Sequence, residues 1–372
     1  MRDLSKEEVI HTTLLGLARR MGPGGQLPTV RKLCEMLAAS RSTMDRVLRT
    51  LESERVVNCI QGSGIYVSPL INQRKIGIIF PGNISDPLRY SQFWRLLHSA
   101  AMRLAAKNGD ELKTYFGCPA HNEDNLEPST YSLLDDISSR RLTGLITVGI
   151  GKKDQFEWLK SYGLPTVSFG HSDMSDASLC FNDSANIQTG LEALRGAGCK
   201  KVALVYLGAF SDSQDEKDPT SKAFKEACKT LGLIYSPELR WTPSLLTQWE
   251  TLEDAAASII RQKWSSQEDK PDGIFFLDDT MAHGGMIAFL EAGIKLGSEV
   301  QVAAITHTGA SLLRPFSRYL YRVEIDPTEI IEKMFSMLGK LLQGMTLAEK
   351  NLLIEAKLLP PSKQSVASLP RL

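Results

Sequence analysis

The order of apolar and polar residues between Leu27 and Val67 constrains this chain more than any other feature. Thr29 is placed to cap a short helix in which Val30, Leu33 and Leu37 face inward, and Ser40 to cap another with Met44, Val47, Leu48 and Leu51 at helical spacing. Two β-type runs, Val56–Ile60 and Ile65–Val67, then flank Gln61-Gly62-Ser63-Gly64, which predicts a hairpin. Upstream, Val9, Ile10, Thr13, Leu14 and Leu17 line one side of a helix from Lys6 to Met21, stopped by Gly22-Pro23-Gly24-Gly25. Three helices followed by a glycine-tipped hairpin is the order of a winged helix-turn-helix, whose last helix lies in a DNA groove.

Reading DNA requires polar side chains on the outer face of that last helix, near its N-terminus. Arg41, Ser42, Thr43, Asp45 and Arg46 occupy those positions. Arg41 or Arg46 can take a guanine edge or a phosphate, and Ser42 and Thr43 can reach either kind of group. Gly62 and Gly64 let the hairpin backbone approach a phosphate or the minor groove. The 43 basic and 43 acidic residues cancel, so bulk charge does not draw the chain to nucleic acid. A small basic surface on a neutral protein is still enough for phosphate contacts.

Leu27-Pro28-Thr29-Val30-Arg31-Lys32-Leu33, Ala39-Ser40-Arg41-Ser42-Thr43-Met44 and Gln61-Gly62-Ser63-Gly64-Ile65-Tyr66-Val67 together resemble the DNA-binding domain of the gluconate-repressor (GntR) family. The resemblance implies that Arg31 touches phosphate or base, that Ser40, Arg41 and Ser42 contact DNA, and that Gly62 is the wing glycine. With Thr43 and Arg46 these form the expected DNA-binding set. Asp45 departs from the family, whose members commonly carry a basic residue there. A carboxylate beside phosphate is repulsive, so Asp45 either accepts from a cytosine amino group or pairs with Arg49; the pair is the expectation.

The remainder of the chain, of 372 residues in all, has a different pattern. Residues 1–69 are assigned to the winged domain, 70–75 to a linker and 76–365 to a second unit. Strands are expected at 76–80, 112–116, 144–148 and 166–169, with helices near 91–108, 131–140 and 153–161 between them. The alternation restarts after Cys180-Phe181-Asn182-Asp183, with strands at 201–207, 239–241, 273–277, 300–305 and 321–325. Helices are expected near 184–197, 221–231, 252–263, 281–292 and 327–342. Short apolar strands separated by helices indicate parallel sheets covered on both faces, and a hydrophobic content of 42% suffices for such a core. The fold class is therefore α/β, a winged helix-turn-helix followed by two doubly wound sheets. Two such halves in tandem form a bilobed domain that binds ligands beyond the carboxyl ends of its strands.

Asn182-Asp183-Ser184 with Gly190 and Gly198, Ala223-Phe224-Lys225-Glu226-Ala227 with Gly232, Pro271-Asp272-Gly273-Ile274-Phe275, Asp279 with Ala282, and Glu291-Ala292-Gly293-Ile294 resemble the lactose-repressor family and its periplasmic-binding-protein-like relatives. The resemblance implies three crossings between lobes, expected as hinges near 181, 307 and 345, and dimerisation through this domain. The whole chain is similar to hybrid regulators that join the two domain types. Two charged contacts that relatives commonly make to a sugar or nucleobase are missing: an Arg is replaced by Thr220 and an Asp by Thr306, with His307 next in the chain. The candidate effector residues are Asn83, Trp94, His171, Asp183, Thr220, Trp241, Asp278, Asp279, Thr306 and His307, with Ser91 a weaker one. Asp278 or Asp279 can accept from hydroxyls and Trp94 or Trp241 can stack on a pyranose face; alternatively Asp279 caps the next helix and Trp94 is a core or dimer-interface residue.

Other function classes find less support. Six cysteines without a CxxC pair read as buried thiols in a reducing cytoplasm. The N-terminal residues lack the apolar core of a signal peptide and no apolar run reaches membrane-spanning length, so a cytoplasmic protein with no membrane partner is expected. No phosphate-cradling loop, nucleophile elbow or cofactor motif is present, so no cofactor is expected. A metal-dependent hydrolase would have to use Asp278, Asp279, His283 and His307, whose spacing matches no metal motif. These features point to a non-enzymatic, sequence-specific DNA-binding regulator of transcription, a repressor. Its expected partners are double-stranded operator DNA, a small carbohydrate-type effector and a second copy of itself. The alternative is a ligand-independent regulator that uses the bilobed unit as a dimer scaffold.

Overall fold

The structure is a computed structural model that describes residues 5–85, 90–117, 128–150, 153–170, 175–207, 218–243, 251–266 and 268–362. The winged domain contains α1 (Lys6–Met21), β1 (Gln26–Leu27), α2 (Val30–Met36), α3 (Arg41–Ser53), β2 (Val57–Ile60) and β3 (Gly64–Val67). Its helix ends are set by local chemistry. The Ser5 hydroxyl accepts from Glu8 N while the Glu8 carboxylate accepts from Ser5 N, a capping box that satisfies two otherwise unpaired amides of α1. Thr29 and Ser40 cap α2 and α3 through Lys32 N and Thr43 N. Ile10, Leu14 and Ala18 of α1 meet Met44, Val47, Leu48 and Leu51 of α3 in one core, closed below by Val57, Ile65 and Val67. The strands form one antiparallel sheet in the order β1-β3-β2. Gly64 sits at φ +136 with the Gln26 amide 2.7 Å from where a Cβ would stand, so the hairpin closes on β1 only with glycine there.

The bilobed unit continues with β4 (Lys75–Phe80), α4 (Gln92–Asn108), β5 (Glu111–Phe116), α5 (Pro128–Ser138), β6 (Gly144–Val148), α6 (Lys153–Ser161), β7 (Thr166–Phe169) and β8 (Ala177–Phe181). The second half comprises α7 (Asp183–Gly196), β9 (Val202–Val205), α8 (Pro219–Leu231), β10 (Arg240–Trp241), α9 (Leu252–Ser266), β11 (Gly273–Phe276), α10 (Asp279–Glu291), β12 (Gln301–His307) and β13 (Leu320–Ile325). The chain ends its described part with α11 (Pro327–Leu342), β14 (Asn351–Ile354) and β15 (Lys357–Leu359). The first lobe has the strand order β14-β8-β7-β6-β4-β5 and the second β10-β9-β11-β12-β13-β15. All neighbours are parallel except β13 and β15. The central strands are buried along their whole length, as Gly144–Val148 and Val202–Val205 show, because helices cover both faces.

The chain crosses between lobes from β8 into α7, from β13 into α11, and from β14 to β15. The second and third crossings therefore lie near 326 and 355, not near 307 and 345. His307 ends a strand inside the second lobe, and residue 345 comes after α11 within the first lobe, which α11 rejoins by packing on α4. The first and third crossings run side by side. Asn182 N donates to Ile354 O at 2.9 Å, and Ala356 N donates to the buried Asn186 side chain at 3.0 Å.

Polar contacts among the described residues tie the winged domain to the first lobe. Arg55 reaches Glu111 at 2.9 Å, and the Lys75 ammonium donates to Glu54 O at 3.1 Å. The cysteines are not uniformly buried as expected: Cys59 is exposed on β2, Cys34 and Cys180 are half-buried, and Cys118 lies outside the described residues. Burial pushes the thiols of Cys199 and Cys228 up to about 12, which leaves them unreactive. Among the described residues no helix is long and apolar enough to cross a membrane.

Candidate functional site

The outer face of the winged domain is built by the N-terminus of α3. Ser40 holds the cap and its hydroxyl also meets the hydroxyls of Ser42, at 3.0 Å, and Thr43, at 2.9 Å. Three hydroxyls are thereby gathered where the helix amides point outward, a position that favours an anion such as phosphate. Arg41, with 82% of its side chain exposed, lies 3.9 Å from Asp45. Asp45 thus pairs with Arg41, four residues before it, and not with Arg49. Arg31, 90% exposed, pairs with Glu35 at 3.2 Å, and Arg46 is drawn to Glu7 of α1 at 2.7 Å. Exposed pairs of this kind contribute at most about 1 kcal/mol, so Arg31 and Arg41 can exchange a carboxylate for a phosphate or base at small cost. Arg46 has a further job as the tie between α1 and α3. Gly62 is exposed at the hairpin tip with φ +76.

The second candidate site is a cleft of about 440 Å³ between the lobes, at the carboxyl ends of the strands. From the first lobe come Phe93 and Trp94 at the start of α4, Gly149 after β6, Phe169 and Gly170 at the end of β7, and Cys180 with Phe181 closing β8. The rings form a connected wall: Phe93 lies 5.6 Å from Phe169 and 5.5 Å from Phe181, and these last two are 5.0 Å apart. Trp94 packs over Gly149, where a Cβ would stand 2.4 Å from the indole. The second lobe supplies Asp183, Tyr206, Thr220, Asp278, Met281, Ile305 and His307 among others. Phe93 meets the His307 ring at 4.7 Å, so the two lobes touch across the cleft through these rings.

Asp278 caps α10, its Oδ1 accepting from Thr280 N at 2.8 Å and Met281 N at 3.0 Å. The alternative reading of the sequence places that cap on Asp279. Asp279 is instead buried, and its Oδ2 faces His307 Nδ1 at 3.1 Å. Burial, with the Asp279 carboxylate alongside, pushes the Asp278 carboxyl up to about 6, although the cap amides and His307 oppose the shift. Tyr206 donates to Asp218 at 2.7 Å, and Asp218 caps α8 beside Thr220.

The sequence-derived effector residues thus separate. Trp94, Asp183, Thr220, Asp278 and His307 line the cleft together. Thr306 and Asp279 line a smaller cavity of about 270 Å³ that shares His307 with the cleft, because alternate residues of β12 face opposite sides of the sheet. Trp241 cannot stack on a ligand: it is fully buried, with its indole N–H donating to Glu238 O at 3.0 Å. Asn83 is exposed and turned to its own loop, accepting from Ser85 N at 3.1 Å. His171 lies outside the described residues. Sequence reasoning missed Phe93, Phe169, Phe181 and Tyr206; three of the four stand at the carboxyl ends of strands, a signal that was available. His283 pairs with Glu253 at 3.0 Å, away from His307, and no group of three His, Cys, Asp or Glu side chains is placed to hold a metal among the described residues.

Residues 17–67 match the model of bacterial regulatory proteins of the gntR family, and residues 191–360 match that of a periplasmic binding protein-like domain. The chain joins a GntR-like N-terminal region to a periplasmic-binding-protein-like domain. It is similar to the HTH-type transcriptional regulator GalR of Streptococcus thermophilus, at 23% identity over 171 residues, 45% of this chain and 50% of that protein. It is similar over 48 residues, 13% of this chain and 37% of that protein, to the HTH-type transcriptional repressor YtrA of Bacillus subtilis (strain 168), at 35% identity. The chain thus matches half or less of the length of these two relatives. Among solved structures it resembles the transcriptional regulator CelR–cellobiose complex, with TM-score 0.60 and 13% identity, covering 90% of this chain and 98% of that one. At that identity the likeness is one of fold.

Proposed function

We propose that the protein is a sequence-specific DNA-binding repressor of transcription, working as a homodimer, whose grip on its operator is set by a small effector in the interlobe cleft. The observation that carries this reading is the union in one chain of an exposed arginine and hydroxyl face on α3 with two lobes joined by adjacent crossings around a ring-lined cleft. Two copies related by a twofold axis would read half-sites about 34 to 36 Å apart, or a multiple of that. Closure of the lobes about the crossings would move the winged domain, which is attached to the first lobe through a turn at 69–72. Such coupling is limited by how much better the effector binds one geometry than the other, typically about 1 to 3 kcal/mol.

A carbohydrate-type effector suits the cleft in two respects: Trp94 offers a flat apolar face and Asp278 an acceptor for hydroxyls. The likeness in fold to a regulator solved in complex with cellobiose supports an effector of the same class. Selection of duplexes from a random-sequence pool by the full chain, followed by sedimentation with and without the selected DNA, tests the reading. An inverted-repeat sequence bound by a dimer is expected. Failure to enrich any sequence, or a monomer that binds the selected duplex at full affinity, would refute it.

A further inference from the structure

The joint between the winged domain and the first lobe is tighter than a linker requires. Residues 70–75 are anchored on both sides: Ile71 packs on the core of the winged domain, while Gln73 donates to Gly109 O at 3.0 Å and Arg74 Nε to the buried Asp110 carboxylate at 2.7 Å. Asn72 stands between the two anchors. The C-terminal end of α3 is braced against the same lobe. Val56 N donates to Leu51 O at 2.8 Å and Arg55 N to Glu52 O at 3.0 Å, a Schellman closure that sets Arg55 at φ +59. Glycine takes that left-handed conformation without cost and arginine does not. Here the arginine side chain spans the joint to Glu111, the first residue of β5, at 2.9 Å. Lys75, the first residue of β4, donates to Glu54 O at 3.1 Å, which places a cation at the negative end of the α3 dipole. Arg41 and Ser42 lie at the other end of this helix, about 20 Å away, so a tilt of about 10° at the braced end displaces them by about 3 Å.

We propose that Arg55, Glu111 and Lys75 are positioning residues: on the reading that two copies grip an inverted repeat, they fix the angle of α3 on the first lobe and thereby the separation of half-sites that the dimer accepts. Duplexes selected from a random pool by the full chain supply the repeat. It is then remade with two base pairs added or removed at its centre, which shifts one half-site by about 7 Å and turns it by about 70°. In anisotropy titrations the parent is expected to bind each altered spacing about tenfold or more weaker than the selected one. Arg55→Gly with Glu111→Gln removes one brace, and Lys75→Met removes the other. Each change is expected to lower that ratio to about threefold or less, while affinity for an isolated half-site stays within about threefold of the parent's, because Arg41 and Ser42 are untouched. Arg55→Gly alone should melt no lower than the parent, since glycine suits the left-handed turn, which separates relaxed spacing from unfolding.

A parent that binds the altered spacings as tightly as the selected one would overturn the inference. So would persistence of the parent's ratio in every folded variant, including one that loses affinity equally for the half-site and for all spacings. The two readings fail differently: an enriched inverted repeat bound without spacing preference removes only this inference, whereas no enriched DNA removes the regulator reading and this inference with it.

Discussion

The exposed surface of the winged domain's helices and the interlobe cleft are built on opposite principles. On the winged domain, Arg41 and Arg31 stand in solvent, each paired with a neighbour on its own helix, and the core residues beneath them are different residues altogether. In the cleft, Phe93 belongs to the main core and also lines the cavity, and Asp278 both caps α10 and faces that cavity. The contrast teaches that contact and stability are separable on the winged domain and fused in the cleft. Substitutions on α3 should alter binding and leave folding intact, while substitutions in the cleft should alter both.

The strongest challenge to that contrast is Phe93→Ala. Truncating a buried ring packed against Phe169, Phe181 and His307 should destabilise the bilobed unit by about 3 kcal/mol and loosen the contact between lobes. Denaturant titration measures this, and a variant as stable as the parent would show that the cleft wall is not part of the core. Next in size is Arg41→Ala. Its cost should fall on operator affinity, by about 1 to 3 kcal/mol if the guanidinium reads a base, with stability changed by less than about 0.5 kcal/mol. Anisotropy titrations against selected and scrambled duplexes, with a melting curve beside them, check both halves.

Asp278→Asn sharpens the contrast through pH. The folded-state pKa of Asp278 is raised, so the stability linked to its proton is fully present below the unfolded value of about 3.9 and is lost as pH rises through about 6. Among the described residues, Asp279 on the same helix, His307 on β12, Asp183 on α7, Tyr206 after β9 and Cys180 on β8 are the other titratable groups around it. The Asn variant carries no such loss. It should gain on the parent between about pH 4 and 7, by on the order of 2 kcal/mol at the upper end, and a parallel pH dependence in the two proteins would count against the assignment. The smallest effect belongs to Arg46. Glu7→Gln removes its partner on α1 and should cost less than about 1 kcal/mol of stability, while freeing the guanidinium to raise non-specific DNA affinity. Thermal melts and titration with scrambled duplex at low salt measure the two changes.

What is legible in the sequence depends on the range over which each feature is encoded. Helix α1 at Lys6–Met21 and α11 at 327–342 have the bounds their sequences predict, because each announces itself within its own residues by an apolar stripe, a cap or Pro at the first position, and a glycine-containing turn beyond. Strands β1, β8, β14 and β15 escape such a reading. They are two to five residues long, and Gln26–Leu27 or Lys357–Leu359 become strands only because a distant partner supplies hydrogen bonds. The hinge positions differ from expectation for the same reason, since the lobe a segment joins is decided by which sheet it completes. In the cleft, Asp278 and Trp94 are readable as polar and aromatic residues near strand or helix ends, but Trp241 has equal standing by that criterion and is sealed in the core.

The sequence by itself determined the two-part organisation, the caps and amphipathic faces of the winged domain, and the α/β alternation, because hydrophobic period and capping chemistry act over one or two helical turns. It also determined which residue types reach α3's outer face. Only the tertiary structure decided that Asp45 turns to Arg41, that Asp278 and not Asp279 faces the cleft, and that Thr306 looks into a separate cavity while His307 meets Phe93. Those outcomes depend on sheet register, on the handing of the chain between lobes and on which rings fill the space between them. Each is a property of residues far apart in sequence, and no local pattern encodes it.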